Sequence, residues 1–251
     1  MDGNISTNIE NYLNKYECAV VALSGGVDSA VMLLLAKKFC KKVFAVFVKS
    51  EFQPQFEIDD AFEVCSNLGV DLNVLNISVL NDKNITLNPS NRCYYCKKLI
   101  MSAVKKFAEK NNCDIIFDGT NASDDIEERA GYLSLKELGI LSPLRICNVD
   151  KNQVRAIAKE NGLHIYGKPS YACLATRIPG YMHITDTLLR KTECAENELF
   201  SSGFTDFRIR YENETSAKVQ LSEDDMKLYH SNEKILNVLY KYYNKITVEE
   251  R

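Results

Sequence analysis

The chain has 251 residues, of which 45% are hydrophobic and 26% charged, as in an ordinary folded globule. Its net charge of −3 disfavours a long nucleic acid as the partner. The polar segment before Tyr16 lacks a signal-peptide core, and no apolar stretch is long enough to span a membrane. We therefore expect a cytoplasmic protein without a membrane partner, whose nine cysteines serve as thiols, metal ligands or nucleophiles.

Strands and helices are predicted to alternate along the first part of the chain. After a short N-terminal helix, apolar runs predict strands at residues 18–23, 43–48, 70–77, 115–118 and 140–144. Helical spacing of apolar residues predicts helices at residues 30–40, 58–69, 99–107, 132–138 and 150–162, with a loop at 78–92. This alternation indicates an α/β fold with a doubly wound, mostly parallel sheet, whose ligands bind beyond the carboxyl ends of its strands.

The pattern changes after Gly180. A helix over residues 188–200 precedes alternating strands at 204–211 and 217–221, a helix capped by Ser222 and a last strand at 245–248. We therefore predict two domains, a larger α/β domain over residues 1–180 and a smaller α+β domain over residues 181–251.

The sequence Ser-Gly-Gly-Val-Asp-Ser at residues 24–29 joins the first strand to the helix that follows it. Glycines let the backbone approach a phosphate closely, and a helix N-terminus favours negative charge. Asp28 suits a magnesium ion, and the serine hydroxyls can donate to phosphate oxygens. No Gly-Lys-Ser/Thr follows, which excludes the Walker loop. The segment predicts a nucleotide site at Ser24, Gly25, Gly26, Asp28 and Ser29; an ordinary strand-to-helix turn is the alternative.

A second polar segment, Asp118-Gly119-Thr120-Asn121, ends the fourth predicted strand. The carboxyl ends of parallel strands meet at one sheet edge, so we add Gly119, Thr120 and Asn121 to the nucleotide site. Acidic residues just beyond this edge form either a solvated face or part of a magnesium site; they are Asp124, Asp125, Glu127 and Glu128.

Three cysteines lie in chemically suggestive contexts. Cys93 and Cys96 are spaced so that both sulfurs can reach one metal. Cys173 lies in a loop bracketed by prolines and basic residues, which favour its thiolate form. Arg208 and Arg210, two apart on a predicted strand, point the same way and suit a phosphate.

Together these segments resemble the LarE family, PP-loop ATP pyrophosphatase-like sulfur transferases that make the nickel-pincer nucleotide cofactor of lactate racemase. The resemblance is carried by residues 24–29, 92–97, 118–121, 142–144, 168–179 and 207–210. It implies an ATP-dependent enzyme that adenylates a carboxylate of a pyridinium mononucleotide and releases pyrophosphate. A sulfur nucleophile then displaces AMP and leaves a thiocarboxylate. The partners implied are this small nucleotide, sulfide or another sulfur donor, and further copies of the chain in a homo-oligomer.

The resemblance also implies roles for individual residues. The catalytic set is Cys173, Asp28 and Arg177, with Arg208 and Arg210 on the substrate phosphate. In this reading the domain of residues 1–180 is the ATP pyrophosphatase domain, and that of residues 181–251 serves substrate binding or oligomerisation. Glu196, on a helix facing that region, is a candidate contact for metal or substrate.

The sulfur source has three alternatives. In one branch of the family the cysteine corresponding to Cys173 gives up its own sulfur. In the other, three cysteines hold a 4Fe-4S cluster whose open iron binds external sulfide, and Cys93, Cys96 and Cys173 match that pattern. A zinc site is the third alternative, for which a fourth ligand would be needed.

Other functions compatible with these motifs are a PP-loop tRNA thiolase, an amide-forming PP-loop synthetase and a non-catalytic nucleotide-binding or metal-storage protein. The tRNA thiolase is disfavoured by the single Cys-X-X-Cys pair and the negative net charge. The amide-forming synthetase would need no cysteine triad, and the non-catalytic protein would release no pyrophosphate from ATP.

Overall fold

The computed structural model describes residues 3–126 and 130–251. Contacts between residues divide the chain into two compact units, the first comprising Met1–Val79 and Asn91–Lys168 and the second Leu80–Ser90 and Pro169–Arg251. In the described part of the chain, no helix is long and apolar enough to cross a membrane. The elements in chain order are α1 (Gly3–Leu13), β1 (Cys18–Leu23), α2 (Val27–Phe39), β2 (Lys42–Lys49), α3 (Gln55–Leu68), β3 (Leu72–Asn76), α4 (Lys83–Thr86), α5 (Arg92–Lys110), β4 (Ile116–Phe117), α6 (Ala130–Leu138), α7 (Pro143–Ile146), α8 (Lys151–Glu160), α9 (Asp186–Ser201), β5 (Phe207–Asn213), β6 (Ser216–Leu221), α10 (Glu223–Ser231) and β7 (Lys245–Glu250), with 3₁₀ turns at His164–Gly167, Leu174–Arg177 and Glu233–Lys241.

The first unit contains a parallel four-stranded sheet in the order β3-β2-β1-β4. Helices cover both faces of this sheet. Strand β1 is therefore buried on both sides, with Ala19, Val20 and Val21 fully buried, which explains why its sequence is almost wholly apolar. The predicted α/β class and doubly wound parallel sheet are confirmed. Because β1 and β4 are neighbours, the segments that follow them lie at the same edge of the sheet.

The second unit has its own three-stranded sheet, in which β5 pairs antiparallel with β6 and β6 pairs parallel with β7. One face of this sheet packs on α9 in an apolar core that includes Ile209, Val219 and Leu199. The strand residues between these, such as Arg208 and Arg210, therefore lie on the other face.

Two predicted elements differ from the structure. The strand expected at residues 140–144 is reduced to a single bridge between Phe117 and Leu141. Pro143, whose fixed φ suits the first turn of a helix, starts α7 instead. The loop expected at residues 78–92 contains the short helix α4, whose N-terminus Asp82 caps.

Two helix ends have clear local causes in the sequence. Asp150 and Gln153 form the capping box that starts α8. Gly69 ends α3 with a φ of 59°, a left-handed conformation that glycine adopts without a steric penalty.

Candidate active site

The turn between β1 and α2 has a backbone that only glycine can form. Gly25 has a φ of 76°, and a Cβ built there would lie 2.4 Å from the carbonyl oxygen of Glu57. Ser29 braces the turn, since its Oγ accepts a hydrogen bond from the Ser24 amide at 3.2 Å and donates one to the Gly26 carbonyl at 3.0 Å. Gly26 is the N-cap of α2, so the turn presents the positive end of that helix dipole.

The segment after β4 packs directly against this turn. A Cβ on Gly119 would lie 2.6 Å from the Ser29 amide nitrogen, so the backbones can approach only because residue 119 is glycine. Asp118, 4% exposed, organises the segment by accepting hydrogen bonds from the Thr120 hydroxyl at 2.6 Å and the Ser142 hydroxyl at 2.7 Å. The structure thus brings together the two groups of residues proposed for nucleotide binding.

The Asp28 carboxylate is held by two groups from this edge. The Asn121 side-chain amide donates to its Oδ1 at 3.0 Å, and Lys151 Nζ lies 2.6 Å from its Oδ2. Sequence reasoning missed Lys151. It is the first residue of α8, and the capping box of Asp150 and Gln153 that fixes that helix start was a visible signal.

The loop after Asn121 is also braced. Arg145 Nη1 donates to the backbone carbonyl oxygens of Asn121 at 3.3 Å and Asp124 at 2.8 Å. The Asp124 carboxylate accepts a hydrogen bond from the backbone N–H of Asn121 at 2.9 Å. The proposed magnesium ligands Glu127 and Glu128 lie outside the described residues.

Cys93 and Cys96 lie in the first turns of α5, three residues apart and therefore on one side of the helix. Cys93 is exposed and Cys96 half-buried, and the Arg92 guanidinium lies 3.8 Å from the Cys93 sulfur. They belong to the first unit, whereas Cys173 belongs to the second. Within residues 3–126 and 130–251, no three His, Cys, Asp or Glu side chains form a group able to hold a metal ion.

A fully buried ion pair secures the Cys173 segment within the second unit. Arg177 Nε donates to Glu196 Oε1 at 2.6 Å, and both side chains have no exposed surface. Glu196 also accepts from the Tyr171 hydroxyl at 2.5 Å and from the Ile209 amide at 3.1 Å, so one carboxylate joins the segment to β5. Burial opposes the charge of Arg177, but the Glu196 carboxylate outweighs it and raises the pKa of Arg177. The role of Glu196 toward metal or substrate stays a prediction.

Arg208 and Arg210 project from the face of β5 opposite the core. Within the described part of the chain, the Arg208 guanidinium has no hydrogen bond or ion pair. Partial burial, and then the nearby charges of Arg251, Arg177 and Arg210, lower the pKa of Arg208. A half-buried guanidinium with neighbouring cations favours a bound anion, and its planar shape suits phosphate.

A parallel α/β sheet with a Ser-Gly-Gly-Val-Asp-Ser turn at the start of a helix defines the PP-loop ATP pyrophosphatase class. A family profile described as queuosine biosynthesis protein QueC matches residues 18–88, which include that turn. The similarity to known proteins also extends over most of the chain. The pyridinium-3,5-bisthiocarboxylic acid mononucleotide synthase of Lactiplantibacillus plantarum is 30% identical over 213 residues, covering 84% of this chain and 77% of that protein. The chain belongs to the LarE family and is an ATP-dependent sulfurtransferase.

Two further relatives show the range of this likeness. An uncharacterised protein of Methanocaldococcus jannaschii is 30% identical over 234 residues, covering 93% of this chain and 88% of its own length. A tRNA-specific 2-thiouridylase, MnmA, of Acidithiobacillus ferrooxidans is 28% identical over 182 residues, but these cover only 60% of this chain and 51% of that enzyme.

Proposed function

We propose that this enzyme converts a carboxylate of a pyridinium mononucleotide into a thiocarboxylate, as the name of the Lactiplantibacillus plantarum relative states for its product. The observation that carries the proposal is the Arg177–Glu196 pair, which fastens the Cys173 segment to the strand bearing Arg208 and Arg210. A candidate sulfur residue and two candidate phosphate-binding residues thereby belong to one rigid arrangement in the second unit.

In the first stage, a carboxylate oxygen of the substrate attacks the α-phosphorus of ATP, and the bond to the pyrophosphate leaving group breaks. Gly25, Gly26 and the N-terminus of α2 bind the departing pyrophosphate, because they offer backbone donors and a positive dipole end. Ser24 and Ser29 add hydroxyl donors, and Gly119, Thr120 and Asn121 complete the nucleotide site.

Asp28 is the proposed magnesium ligand. Its carboxylate and the neighbouring serine hydroxyls of the turn are hard oxygen donors of the kind magnesium prefers. The ion would neutralise charge on the phosphates. In the structure, Lys151 Nζ contacts one oxygen of Asp28. When ATP binds, the Lys151 side chain would move its ammonium group from Asp28 to a phosphate oxygen.

In the second stage, a sulfur nucleophile attacks the acyl carbon of the adenylate, and AMP leaves with the electron pair of the broken C–O bond. If Cys173 is the donor, its Sγ forms the new C–S bond. Removal of its α-proton then breaks the Cβ–S bond, which leaves dehydroalanine in the chain and a thiocarboxylate on the product. If the sulfur is external, Cys173 survives each turnover.

For the sulfur source we propose the cluster pattern, with Cys93, Cys96 and Cys173 as ligands. The proposal is supported by the presence of both a Cys-X-X-Cys pair and Cys173 in this chain, which belongs to the family. Three thiolates on a cluster of four irons would leave the fourth iron without a protein ligand. Sacrifice of Cys173 is the alternative within the same reaction.

The proposed function is tested by incubating the purified enzyme with ATP, magnesium, sulfide and pyridinium-3,5-biscarboxylic acid mononucleotide. We expect pyrophosphate release and a product whose mass increases by the replacement of oxygen with sulfur. Asp28→Asn should abolish both, because it removes the magnesium ligand. Cys173→Ala should retain pyrophosphate release and lose thiocarboxylate formation. An enzyme that thiolates tRNA and leaves the mononucleotide unchanged would overturn the proposal.

A further inference from the structure

Arg210 is oriented by two neutral oxygen atoms. Its Nε donates to Gln220 Oε1 at 2.7 Å, and its Nη1 donates to the Thr176 carbonyl oxygen. Neither acceptor carries a charge, and within residues 3–126 and 130–251 no carboxylate forms an ion pair with this guanidinium. This differs from Arg177, which pairs with Glu196, and from Arg251, whose Nη1 lies 3.0 Å from Asp206 Oδ1.

The Gln220 amide is itself held from its other side. Its Nε2 donates to Glu249 Oε1 at 2.7 Å, and Glu249 Oε2 pairs with Lys218 Nζ at 3.1 Å. A carboxylate accepts hydrogen bonds and cannot donate them when ionised, so Glu249 binds the NH₂ end of the amide. The amide oxygen must then face Arg210.

The strand registers make this arrangement possible. Gln220 on β6 lies opposite Arg208 on β5 and in register with Glu249 on β7, so the three side chains share the face of the sheet away from the core. Glu249 therefore stands one amide away from Arg210, with its own charge matched by Lys218. A carboxylate in the position of Gln220 would contact the guanidinium directly.

We propose that Gln220 and Glu249 are positioning residues for the substrate phosphate: Gln220 orients Arg210 without neutralising it, and Glu249 fixes which end of the amide faces Arg210. The inference rests on the proposed function, in which Arg208 and Arg210 bind that phosphate. It adds a requirement for neutrality at position 220, since an ion pair there would compete with the phosphate for Arg210.

The test compares variants on two substrates, the pyridinium mononucleotide and the matching nucleoside without its phosphate. KM and kcat are measured from pyrophosphate release, and Kd by calorimetry without ATP. Gln220→Met removes the hydrogen bond and should raise KM and Kd for the nucleotide about tenfold. Gln220→Glu keeps the shape but adds a charge, and should raise both by roughly a further tenfold. Glu249→Gln should give a smaller rise in KM and Kd, about threefold, because the Gln220 amide can then rotate and exchange the positions of its oxygen and nitrogen.

The nucleoside separates positioning from general damage. Each of these variants should leave kcat unchanged for the nucleotide and should leave all nucleoside parameters as in the unchanged enzyme, because no phosphate is bound. Glu223→Gln, on an exposed pair of α10, is the matched surface control and should change nothing. Equal effects of Gln220→Met and Gln220→Glu, or equal effects on both substrates, would overturn the proposal.

Arg208→Met distinguishes failure of this inference from failure of the proposed function. Suppose Arg208→Met weakens binding of the nucleotide but not of the nucleoside, while Gln220→Glu behaves like the unchanged enzyme. The phosphate site then stands and the positioning role is wrong. If Arg208→Met affects nucleotide and nucleoside alike, the proposed phosphate site itself is wrong, and the positioning role falls with it.

Discussion

Lys151 Nζ lies 2.6 Å from Asp28 Oδ2 and so occupies an oxygen that a magnesium ion would use. Both side chains are about one quarter exposed, so the pair adds little to stability, on the order of 1 kcal/mol or less. In the proposed function its importance is for ligand binding, because the arrival of MgATP would free the ammonium group to contact a phosphate.

We expect Lys151→Met to weaken ATP binding about tenfold while magnesium binds Asp28 more readily in the absence of ATP, since the competing cation is gone. Calorimetric titrations of ATP and of magnesium alone measure the two effects. Lys159→Met, later on the same helix, is the control and should change neither. Unaltered affinity for both ligands in Lys151→Met would show that the contact with Asp28 has no part in nucleotide binding.

Gly25→Ala should disrupt the nucleotide turn. The added Cβ would collide with the Glu57 backbone at 2.4 Å, and φ is 76°, so we expect a loss of about 1–3 kcal/mol in the free energy of unfolding and loss of measurable ATP binding. Gly139→Ala is the matched control, because Gly139 also has a positive φ, 72°, but meets no atom within 4 Å. Thermal unfolding and ATP titration of both variants separate the clash from backbone strain. Equal losses in the two would mean that the close approach to Glu57 is unimportant.

Replacing one partner of the Arg177–Glu196 pair should be strongly destabilising. Glu196→Met leaves the Arg177 charge buried without its carboxylate, and Arg177→Met leaves the Glu196 carboxylate without its cation, each at a cost of about 3–5 kcal/mol. The double variant Arg177→Met/Glu196→Met should recover much of this loss, because no buried charge remains. Denaturant unfolding of the three variants gives the coupling. Additive losses would contradict the view that the two charges support each other.

The sheet edge was predictable from local signals, whereas the pairing of charges was not. Strand β1, the glycine turn and the segment after β4 are each visible in the sequence, and parallel topology places them together. The partners Lys151 for Asp28 and Glu196 for Arg177 come from distant helices, and their side chains carry no periodicity that marks a contact. At Pro143 a local signal was misleading. The short apolar run at residues 140–144 suggested a strand, whereas Pro143 starts helix α7.

Thiol reactivity should divide the cysteines according to their burial. Desolvation raises the pKa of Cys40 and of Cys65 to about 11, so at pH 8 roughly one thiol in a thousand is ionised at these sites. Cys93 and Cys194 are exposed. We expect brief treatment of the iron-free protein with iodoacetamide at pH 8 to label Cys93 and Cys194 first, as read by peptide mass spectrometry. Labelling of Cys40 or Cys65 in folded protein at a comparable rate would contradict their buried positions.

Iron content decides between the proposed sulfur sources. If Cys93, Cys96 and Cys173 hold a cluster, protein purified without oxygen should contain about four irons and four sulfides per chain, and Cys93→Ala should lose most of them. Cys194→Ala, which removes an exposed thiol outside the proposed ligand set, is the control and should keep its iron. Treatment with an iron chelator should then stop repeated turnover, and sulfide with ferrous iron should restore it. A colourless protein whose Cys173 loses the mass of hydrogen sulfide after one turnover would instead establish Cys173 as the sacrificed donor, because only elimination at that residue leaves dehydroalanine in the chain.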